Sequence, residues 1–243
     1  MGRKGTYLIN KPEKEYAEMV RVMFSRVVNR YDLMNRLLSV GLDIYWRRKT
    51  VEAINLEENE RFLDLACGTG DLGIFVAKAY PHVLVFAVDF NLDMISFAKK
   101  KIEKKKLNRF FNFAAADANN LPFKDESFDA VGIAFGLRNI PNRKNALKEM
   151  IRITKKGGKI LILEMTAKGT LNHIFKFYIR HVMPFLARIF SSDPDAYFYL
   201  YDTISSFSSP EELKDELEWI GLKNVKIKRF WPGITYLFVG MRP

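Results

Sequence analysis

The stretch Phe62-Leu63-Asp64-Leu65-Ala66-Cys67-Gly68-Thr69-Gly70-Asp71 decides the fold of this chain. An apolar strand runs here into a glycine turn, and a second acidic residue, Asp89, follows 19 residues after Gly70. Gly68 and Gly70 let the backbone approach a ligand at the carboxyl end of a strand, where open α/β sheets bind their cofactors. Asp89, at the tip of the next strand, is placed to accept hydrogen bonds from a ribose diol. The stretch therefore predicts a nucleoside site.

The charges around the turn indicate which nucleoside. The turn also satisfies G-x-G-x-x-G through Gly73, so a nicotinamide or flavin dinucleotide, and hence an NAD-dependent oxidoreductase, is an alternative. A dinucleotide brings a pyrophosphate to the helix N-terminus. Asp64 and Asp71 flank the turn; two carboxylates would repel a pyrophosphate but suit the sulfonium and ammonium of S-adenosylmethionine. We therefore predict S-adenosylmethionine as the cofactor, although Asp71 has a simpler interpretation as a helix cap.

The composition is typical of a chain that folds around a hydrophobic core without disulfide bonds. The 243 residues are 48% hydrophobic, and the single cysteine, Cys67, excludes an internal disulfide and favours a reducing compartment. The longest apolar region, 171–190, is interrupted by Lys176, Arg180 and Arg188, which a membrane-spanning helix would not tolerate cheaply. We identify no metal site. The expectation is a cytoplasmic protein that is soluble or lies on the inner face of the cell membrane.

The net charge is strongly positive. Lys and Arg number 39 against 28 Asp and Glu, giving a formal charge of +11 and a pI near 9.6. Such a balance favours contact with nucleic acid or acidic lipid headgroups. The lysine cluster at 99–106 is interpreted as a solvated helix terminus that complements the helix dipole, and no RNA-binding signature accompanies it. We expect peripheral contact with an anionic membrane and no nucleic-acid partner, and leave a homo-oligomer open.

Strands alternate with helices along the chain after an initial helical segment. Apolar residues at helical spacing predict helix between 17 and 55. Predicted strands then span 61–66, 83–88, 110–115, 128–134 and 159–164, the last after a turn at Gly157-Gly158, with helices ending at 79 and spanning 92–106 and 144–153. This alternation implies a doubly wound, mostly parallel α/β sheet.

The C-terminal third adds a helix and a hairpin. Ser209-Pro210-Glu211-Glu212 has the cap, the first-position proline and the reciprocal carboxylate of a helix start. Strands at 225–230 and 234–239, joined by Trp231-Pro232-Gly233, form a predicted antiparallel hairpin. The fold expected is thus a Rossmann-like sheet with a C-terminal antiparallel hairpin.

Three stretches resemble one enzyme family. They are Phe24-Ser25-Arg26-Val27-Val28-Asn29-Arg30-Tyr31-Asp32-Leu33-Met34-Asn35 with Trp46-Arg47-Arg48, the glycine turn, and Phe135-Gly136-Leu137-Arg138-Asn139-Ile140. The chain is similar, over nearly its whole length, to the menaquinone and ubiquinone biosynthesis C-methyltransferases, which are class I S-adenosylmethionine-dependent methyltransferases. The motifs 193–197 and Tyr199-Leu200 extend the likeness into the C-terminal third.

The resemblance implies methyl transfer to a ring carbon of a polyprenylated quinol, typically demethylmenaquinol; another small molecule or RNA is the alternative acceptor. It also implies residues for the donor. They are Thr69 in the turn, Asp89, and Asp117-Ala118 after the third strand, although Asp117 could simply form a local turn. With Asp64, Gly68 and Gly70 of the glycine turn, these residues make up the predicted cofactor site.

Catalysis would require in-line alignment and electron density at the acceptor carbon. Loss of a quinol proton supplies that density, and a nearby cation stabilises the phenolate. Arg138 is our candidate for that cation; the alternative is that it forms a surface salt bridge. Asn139 would orient the ring or a water. Tyr31 either contacts the substrate or packs in the core. None of the three histidines is proposed as the base.

We expect residues 1–57 to form an N-terminal helical lid and residues 58–243 the methyltransferase domain, with a helical insertion at about 168–205. The apolar stretch within that insertion would roof a polyprenyl channel and rest on lipid, or pack against the core. Where family members carry an arginine and histidines, this chain has Ser205, Phe207 and Phe238, which we expect near the acceptor pocket.

Overall fold

The fold is known from a computed structural model that describes residues 12–168 and 195–243. Its helices are α1 (Glu13–Leu38), α2 (Leu42–Val51), α3 (Asp71–Ala79), α4 (Leu92–Lys104), α5 (Arg143–Ile153), α6 (Asp195–Ser206) and α7 (Pro210–Trp219). Its strands are β1 (Arg61–Leu65), β2 (Leu84–Asp89), β3 (Phe111–Ala115), β4 (Phe128–Ala134), β5 (Thr154–Met165), β6 (Lys223–Phe230) and β7 (Thr235–Met241). Single 3₁₀ turns lie at Asn108–Phe110 and Leu137–Asn139.

One sheet organises these elements, in the strand order β3-β2-β1-β4-β5-β7-β6. Strands β1 to β5 pair in parallel, whereas β7 lies antiparallel between β5 and β6. The predicted doubly wound, mostly parallel sheet with a C-terminal hairpin is confirmed. Because parallel strands share a carboxyl edge, the residues that follow β1, β2, β3 and β4 meet there.

Each face of the sheet carries its own core. Phe62 points to the face covered by α2, α3 and α4, and Leu63 to the face covered by α5 and α7. Both side chains have no solvent exposure. The alternation follows from the two-residue side-chain period of a strand.

Two predicted boundaries can be compared with the structure: the turn before the fifth strand and the helix start at Ser209. The predicted turn at Gly157-Gly158 is wrong, because β5 begins at Thr154 and its pairing with β4 jumps from Thr154 to Lys159. A Cβ on Gly158 would lie 2.7 Å from the Asp129 carbonyl oxygen, so the glycine pair permits an irregularity within the strand rather than a turn before it. The predicted helix start at Ser209 is confirmed: its side chain and that of Glu212 form a reciprocal capping box.

The initial helical segment is described from Pro12 onward and consists of α1 and α2. The apolar stretch 171–190 and the motif at 193–194 lie outside the described residues. Within 12–168 and 195–243, no helix combines the length and the apolar character needed to cross a bilayer.

Candidate active site

A cavity of about 500 Å³ opens at the carboxyl edge of the sheet. Its walls come from the glycine turn, the tip of β2, the loop after β3, the end of β4 and the inner side of α1. The structure brings together on this cavity most of the predicted site residues: Asp64, Gly68, Thr69, Asp89, Asp117, Ala118, Asn139 and Tyr31. Gly70 and Arg138 are not part of its lining.

The glycine turn has the backbone that the sequence implied. Gly68 and Gly70 adopt φ values of 54° and 80°, a region that disfavours other residues. Gly73 serves a different purpose, since a Cβ there would lie 2.9 Å from the Phe111 ring and 3.1 Å from Asp64 Oδ2. The third glycine therefore lets α3 pack directly on the sheet. The side of the glycine turn away from this contact faces the cavity.

Asp89 ties the tip of β2 to this turn. Its Oδ2 accepts a 2.7 Å hydrogen bond from the Gly68 N–H and its Oδ1 a 2.8 Å bond from the Asn91 N–H. Burial raises the pKa of Asp89 despite these bonds. A carboxylate has about four acceptor positions, so two remain for a ribose diol.

Asp64 lies on β1, just before the glycine turn. It is 1% exposed, and its Oδ2 accepts a 2.8 Å hydrogen bond from the Gly73 N–H. Burial raises the pKa of Asp64 to about 7, while that bond and the charge of Arg47 lower it. Asp64 therefore holds α3 against β1 and carries only part of a negative charge near neutral pH.

Asp71 is embedded in an ionic network with α1 and α4. Lys101 Nζ lies 2.5 Å from Asp71 Oδ1, 2.6 Å from Asp32 Oδ2 and 3.3 Å from Thr69 Oγ1. Arg36 donates to Asp71 Oδ2 at 2.9 Å, and Thr69 Oγ1 donates to Asp32 Oδ1 at 2.6 Å. The Thr69 hydroxyl is thus turned to α1.

This network corrects two expectations. The interpretation of Lys101 as part of a solvated cluster is wrong, because its side chain is only 15% exposed. The argument that Asp64 and Asp71 give the turn an uncompensated negative lining is also wrong, since Asp71 is paired with Lys101 and Arg36 and Asp64 is partly protonated. The partner cations come from segments distant in sequence.

Asp117 and Ala118 occupy the loop after β3. Asp117 Oδ1 accepts bonds from the Asn119 N–H at 2.8 Å and from Asn119 Nδ2 at 3.1 Å, which is the local turn chemistry considered from the sequence. The other carboxylate oxygen and the Ala118 backbone remain for a ligand. Both residues line the cavity.

Arg138 forms a buried ion pair rather than a surface one. One terminal guanidinium nitrogen contacts Glu164 Oε1, and the Arg138 backbone N–H donates to Glu164 Oε2 at 3.2 Å. The two side chains are 7% and 1% exposed. Arg138 Nε is buried, and no atom of the described residues accepts a hydrogen bond from it. The alternative of a surface salt bridge is therefore wrong.

Asn139 is oriented by two tyrosines that sequence reasoning did not propose for the site. The Tyr199 hydroxyl donates to Asn139 Oδ1 at 3.0 Å and lies 2.8 Å from the Tyr16 hydroxyl. Burial raises the pKa of both tyrosines, so their hydroxyls stay protonated. Tyr199 stood in a recognised motif, whereas nothing in the sequence marked Tyr16 or Glu164.

The side of the cavity formed by α1 has both apolar residues and four charged ones, Glu13, Lys14, Glu18 and Arg21. Ala17, Val20, Phe24 and Tyr31 line it, and the Tyr31 ring meets Phe24 edge-on at 5.9 Å between centroids. Glu18 and Arg21, at the same wall, pair with each other at 2.6 Å. An aromatic ring could therefore lie against α1 opposite the polar loops.

Phe207 and Phe238, which we expect near the acceptor pocket, do not line this cavity. They are 6% and 2% exposed and pack in the core on the α5 and α7 side of the sheet. Ser205 does not line the cavity either. That these three positions lie near the acceptor pocket stays a prediction. His82 is exposed and distant from it, and the other histidines lie outside the described residues.

The cavity fits S-adenosylmethionine in size and chemistry. Pockets of about 300–1,000 Å³ hold ligands of this size, and the free acceptor positions of Asp89 and Asp117 match a ribose and an adenine edge. Solved structures share the fold: an Aquifex aeolicus S-adenosylmethionine-dependent methyltransferase superposes with a TM-score of 0.63 at 17% identity, covering 87% of this chain and 98% of that one. A Haemonchus contortus phosphoethanolamine N-methyltransferase with bound S-adenosylmethionine gives 0.61 at 17% identity, covering 84% and 57%.

Fold and site together define a class I S-adenosylmethionine-dependent methyltransferase. Residues 11–242 match the ubiE/COQ5 methyltransferase family, and the chain belongs to it. Demethylmenaquinone methyltransferase of Thermus thermophilus is 39% identical, over 91% of this chain and all of that protein. The ubiquinone/menaquinone biosynthesis C-methyltransferase of Geotalea daltonii is 36% identical, over 93% and 97%.

Proposed function

We propose that this enzyme methylates a ring carbon of a polyprenylated quinol, converting demethylmenaquinol to menaquinol. The observation that carries the proposal is the juxtaposition of the apolar and aromatic α1 residues Ala17, Val20, Phe24 and Tyr31 with the hydrogen-bonded Asn139 at the carboxyl edge of the sheet. Curated relatives named for demethylmenaquinone methylation support the acceptor class.

The donor would be held by the residues that ring the turn. Asp89 accepts from the ribose hydroxyls, while the free oxygen of Asp117 and the Ala118 backbone meet the adenine edge. Thr69, Gly68 and Asp64 shape the floor. When bound, S-adenosylmethionine supplies an electrophilic methyl group, so the protein must chiefly align it with the acceptor carbon.

Asn139 and Arg138 would act on the acceptor side. Because Tyr199 donates to Asn139 Oδ1 and Asn139 Nδ2 donates to the Phe135 carbonyl oxygen at 3.4 Å, one amide N–H of Asn139 remains that can donate to a quinol oxygen that gains negative charge. Arg138 does not line the cavity and Glu164 offsets its charge, so it would act on the acceptor only from behind the cavity wall and with less net charge than the sequence suggested. Tyr31 would bound the ring from α1.

We also propose that α1 and α2, within residues 1–57, form a lid on the domain spanning 58–243. The contact of Tyr16 on α1 with Tyr199 on α6 joins this lid to the helical insertion at about 168–205. A cytoplasmic enzyme that touches the anionic inner face of the membrane would meet its lipid substrate there, and the charge of +11 supports such contact.

Labelled S-adenosylmethionine with a panel of quinols tests the acceptor. We expect methyl incorporation into reduced demethylmenaquinol, none into the oxidised quinone and none into RNA. Incorporation into RNA but not into lipid would overturn the proposal.

Two variants separate the roles of the site residues. Asp89→Ala should weaken donor affinity, whereas the exposed Asp93→Ala should not. The pair Arg138→Ala with Glu164→Gln, which avoids a buried unpaired carboxylate, should keep donor affinity and slow turnover. Normal binding and turnover in both site variants would refute the assignment.

A further inference from the structure

The turn that joins β6 to β7 lies at the same edge of the sheet as the cavity. Thr235, the first residue of β7, pairs with the last residue of β5, so the hairpin closes beyond the carboxyl ends of the parallel strands. Helix α2 runs beside it. Tyr45, near the start of α2, meets the Phe230 ring edge-on at 5.9 Å between centroids. Lys159, near the opposite edge of the sheet, donates to the Ala53 carbonyl oxygen just after α2. The start of α2 and the loop before it therefore also project at the carboxyl edge.

Three apolar or aromatic side chains are exposed at this place. Val40 before α2, Tyr45 on α2 and Trp231 in the hairpin turn are 80%, 45% and 74% exposed. Single exposed apolar residues are ordinary, whereas a group of them at one place marks a contact surface. Val40 is also a β-branched residue at a φ of 52°, a conformation that glycine and asparagine adopt more easily. We call Val40, Tyr45 and Trp231 the apolar corner.

The backbone that carries Trp231 is fixed although the side chain is exposed. Trp46 Nε1 donates to the Trp231 carbonyl oxygen at 3.1 Å, and the Gly233 N–H donates to the Phe230 carbonyl oxygen at 2.7 Å. Arg229 Nε closes the turn from the other side with a 3.1 Å bond to the Gly233 carbonyl oxygen. An ordered turn therefore holds the Trp231 ring out from the surface.

The surroundings of the apolar corner are positively charged. Arg48 is exposed and lies one helical turn after Tyr45, and the exposed Lys228 has its Nζ 5.7 Å from the Phe230 ring centroid. Residues 223–241 contain no Asp or Glu, and their cations are Lys223, Lys226, Lys228 and Arg229. Because β6 is an edge strand, its lysines alone are explained as protection against pairing with another sheet. That explanation does not account for an exposed tryptophan at the end of the same strand.

This combination fits the headgroup region of an anionic bilayer. Tryptophan and tyrosine rings concentrate at that depth because one part of each ring is apolar and another forms hydrogen bonds. Each Lys or Arg near an anionic lipid surface adds to the attraction. A second copy of the chain fits less well, since it would bring another formal charge of +11 to a positive surface.

We propose that the apolar corner inserts into the headgroup region of an anionic bilayer, with Arg48 and Lys228 against the lipid phosphates. The cavity opens at the same edge of the sheet and would then face the membrane. The purpose of this docking rests on the proposed quinol acceptor, whereas the docking itself does not depend on it.

Vesicle binding tests the surface without any substrate. The full chain is mixed with vesicles of phosphatidylglycerol and phosphatidylcholine, and its affinity is measured by co-sedimentation. We expect Trp231→Ser to weaken binding about tenfold, and Arg48→Gln with Lys228→Gln about 5- to 30-fold. Two controls should bind within about twofold of the native protein, because their positions lie away from the apolar corner. They are Trp219→Ser, a similarly exposed tryptophan on α7 at the other face of the sheet, and Lys104→Gln with Lys105→Gln at the end of α4.

Trp231 also reports its own surroundings. Trp46 is buried and Trp219 lies on the other face, so anionic vesicles should shift the fluorescence emission of the native protein and of Trp219→Ser to shorter wavelength. They should leave the emission of Trp231→Ser unshifted. A native vesicle affinity or a native emission shift in Trp231→Ser would overturn the proposal. A lipid-free dimer that Trp231→Ser dissociates, together with no vesicle binding, would also overturn it, because a second copy would then cover the apolar corner.

Turnover separates this inference from the proposed function. On a long-chain quinol in anionic vesicles, Trp231→Ser should lose about as much turnover as vesicle affinity, and on a water-soluble short-chain quinol it should match the native protein. An equal loss on both acceptors would contradict a role in membrane docking. If the native protein methylates no quinol, the proposed function fails while the vesicle results still decide the docking surface.

Discussion

Replacing Lys101 by methionine tests the ionic network that joins α1, the glycine turn and α4. Lys101 Nζ is shared by Asp71 and Asp32, at 2.5 and 2.6 Å. Methionine keeps most of the side-chain volume and removes the charge. Both carboxylates then lose a cation in a setting where the side chains are only 9% and 26% exposed.

The size of the loss follows from the pKa of Asp71. Burial alone would raise that pKa, but Arg47, Lys101 and Arg36 outweigh it and lower the pKa from 3.8 to about 2. That difference corresponds to about 2.5 kcal/mol of stability at neutral pH. Lys101 is one of three cations, so its share is about 1 kcal/mol, and the partly exposed pair with Asp32 adds up to about 1 kcal/mol. We expect Lys101→Met to cost about 2 kcal/mol in the free energy of unfolding.

Urea denaturation at pH 7 and pH 3 measures this cost. A carboxyl whose folded pKa is depressed stabilises the fold above its unfolded pKa and loses that effect as pH falls through its folded pKa. The difference between native protein and variant should therefore shrink between pH 4 and pH 2. Lys100→Met, at the exposed neighbouring position, makes the same change in charge and should cost less than about 0.5 kcal/mol.

Two results would refute this reasoning. One is a cost at pH 7 that does not exceed that of Lys100→Met. The other is a cost that stays constant as the pH falls, since that would mean that Lys101 contributes through packing of its alkyl chain.

The remaining predictions concern Asp64 in the donor site, Tyr199 on the acceptor side and the start of helix α7. Burial raises the pKa of Asp64 to about 7, so without ligand the folded protein keeps a proton that the unfolded chain releases, and stability falls as pH rises from 4 to 7. The free energy of unfolding of Asp64→Asn, taken relative to that of the native protein, should therefore be higher at pH 7 than at pH 5. An equal difference at the two pH values would contradict this. Tyr199→Phe should lower kcat about tenfold with unchanged donor affinity, and should have no further effect once Asn139 is alanine. Ser209→Ala should cost about 1 kcal/mol in thermal unfolding, less than additively with Glu212→Ala.

Local signals in the sequence specified much of the fold. Strand β4 spans 128–134 and helix α4 begins at Leu92, both as predicted, whereas Asp71, considered as a helix cap, is the first residue of α3 and Gly70 is its N-cap. These signals work because a cap, a proline or a turn glycine acts on its own neighbours. The start of β5 was missed because Gly157 and Gly158 are equally suited to a turn and to an irregular strand.

The candidate site was predictable only in part, for a related reason. Asp89 and the turn lie on the cavity because strand tips define it. The partners that pair with Asp71 and orient Asn139 come from other parts of the chain: Lys101 lies on α4, and Tyr199, which contacts Asn139, is 183 positions from the Tyr16 with which it shares a hydrogen bond. Pairings of this kind depend on how α1 and α2 dock, which no local pattern specifies.

The network also changes the physical reason for excluding a dinucleotide. From the sequence, two bare carboxylates seemed to repel a pyrophosphate, yet Asp71 is compensated by Lys101 and Arg36. Its low pKa nevertheless keeps Asp71 ionised at the first residue of α3, where a pyrophosphate would bind. An ionised Asp71 beside the N-terminus of α3 therefore disfavours a pyrophosphate there, and the neighbouring cations Lys101 and Arg36 are already paired with it.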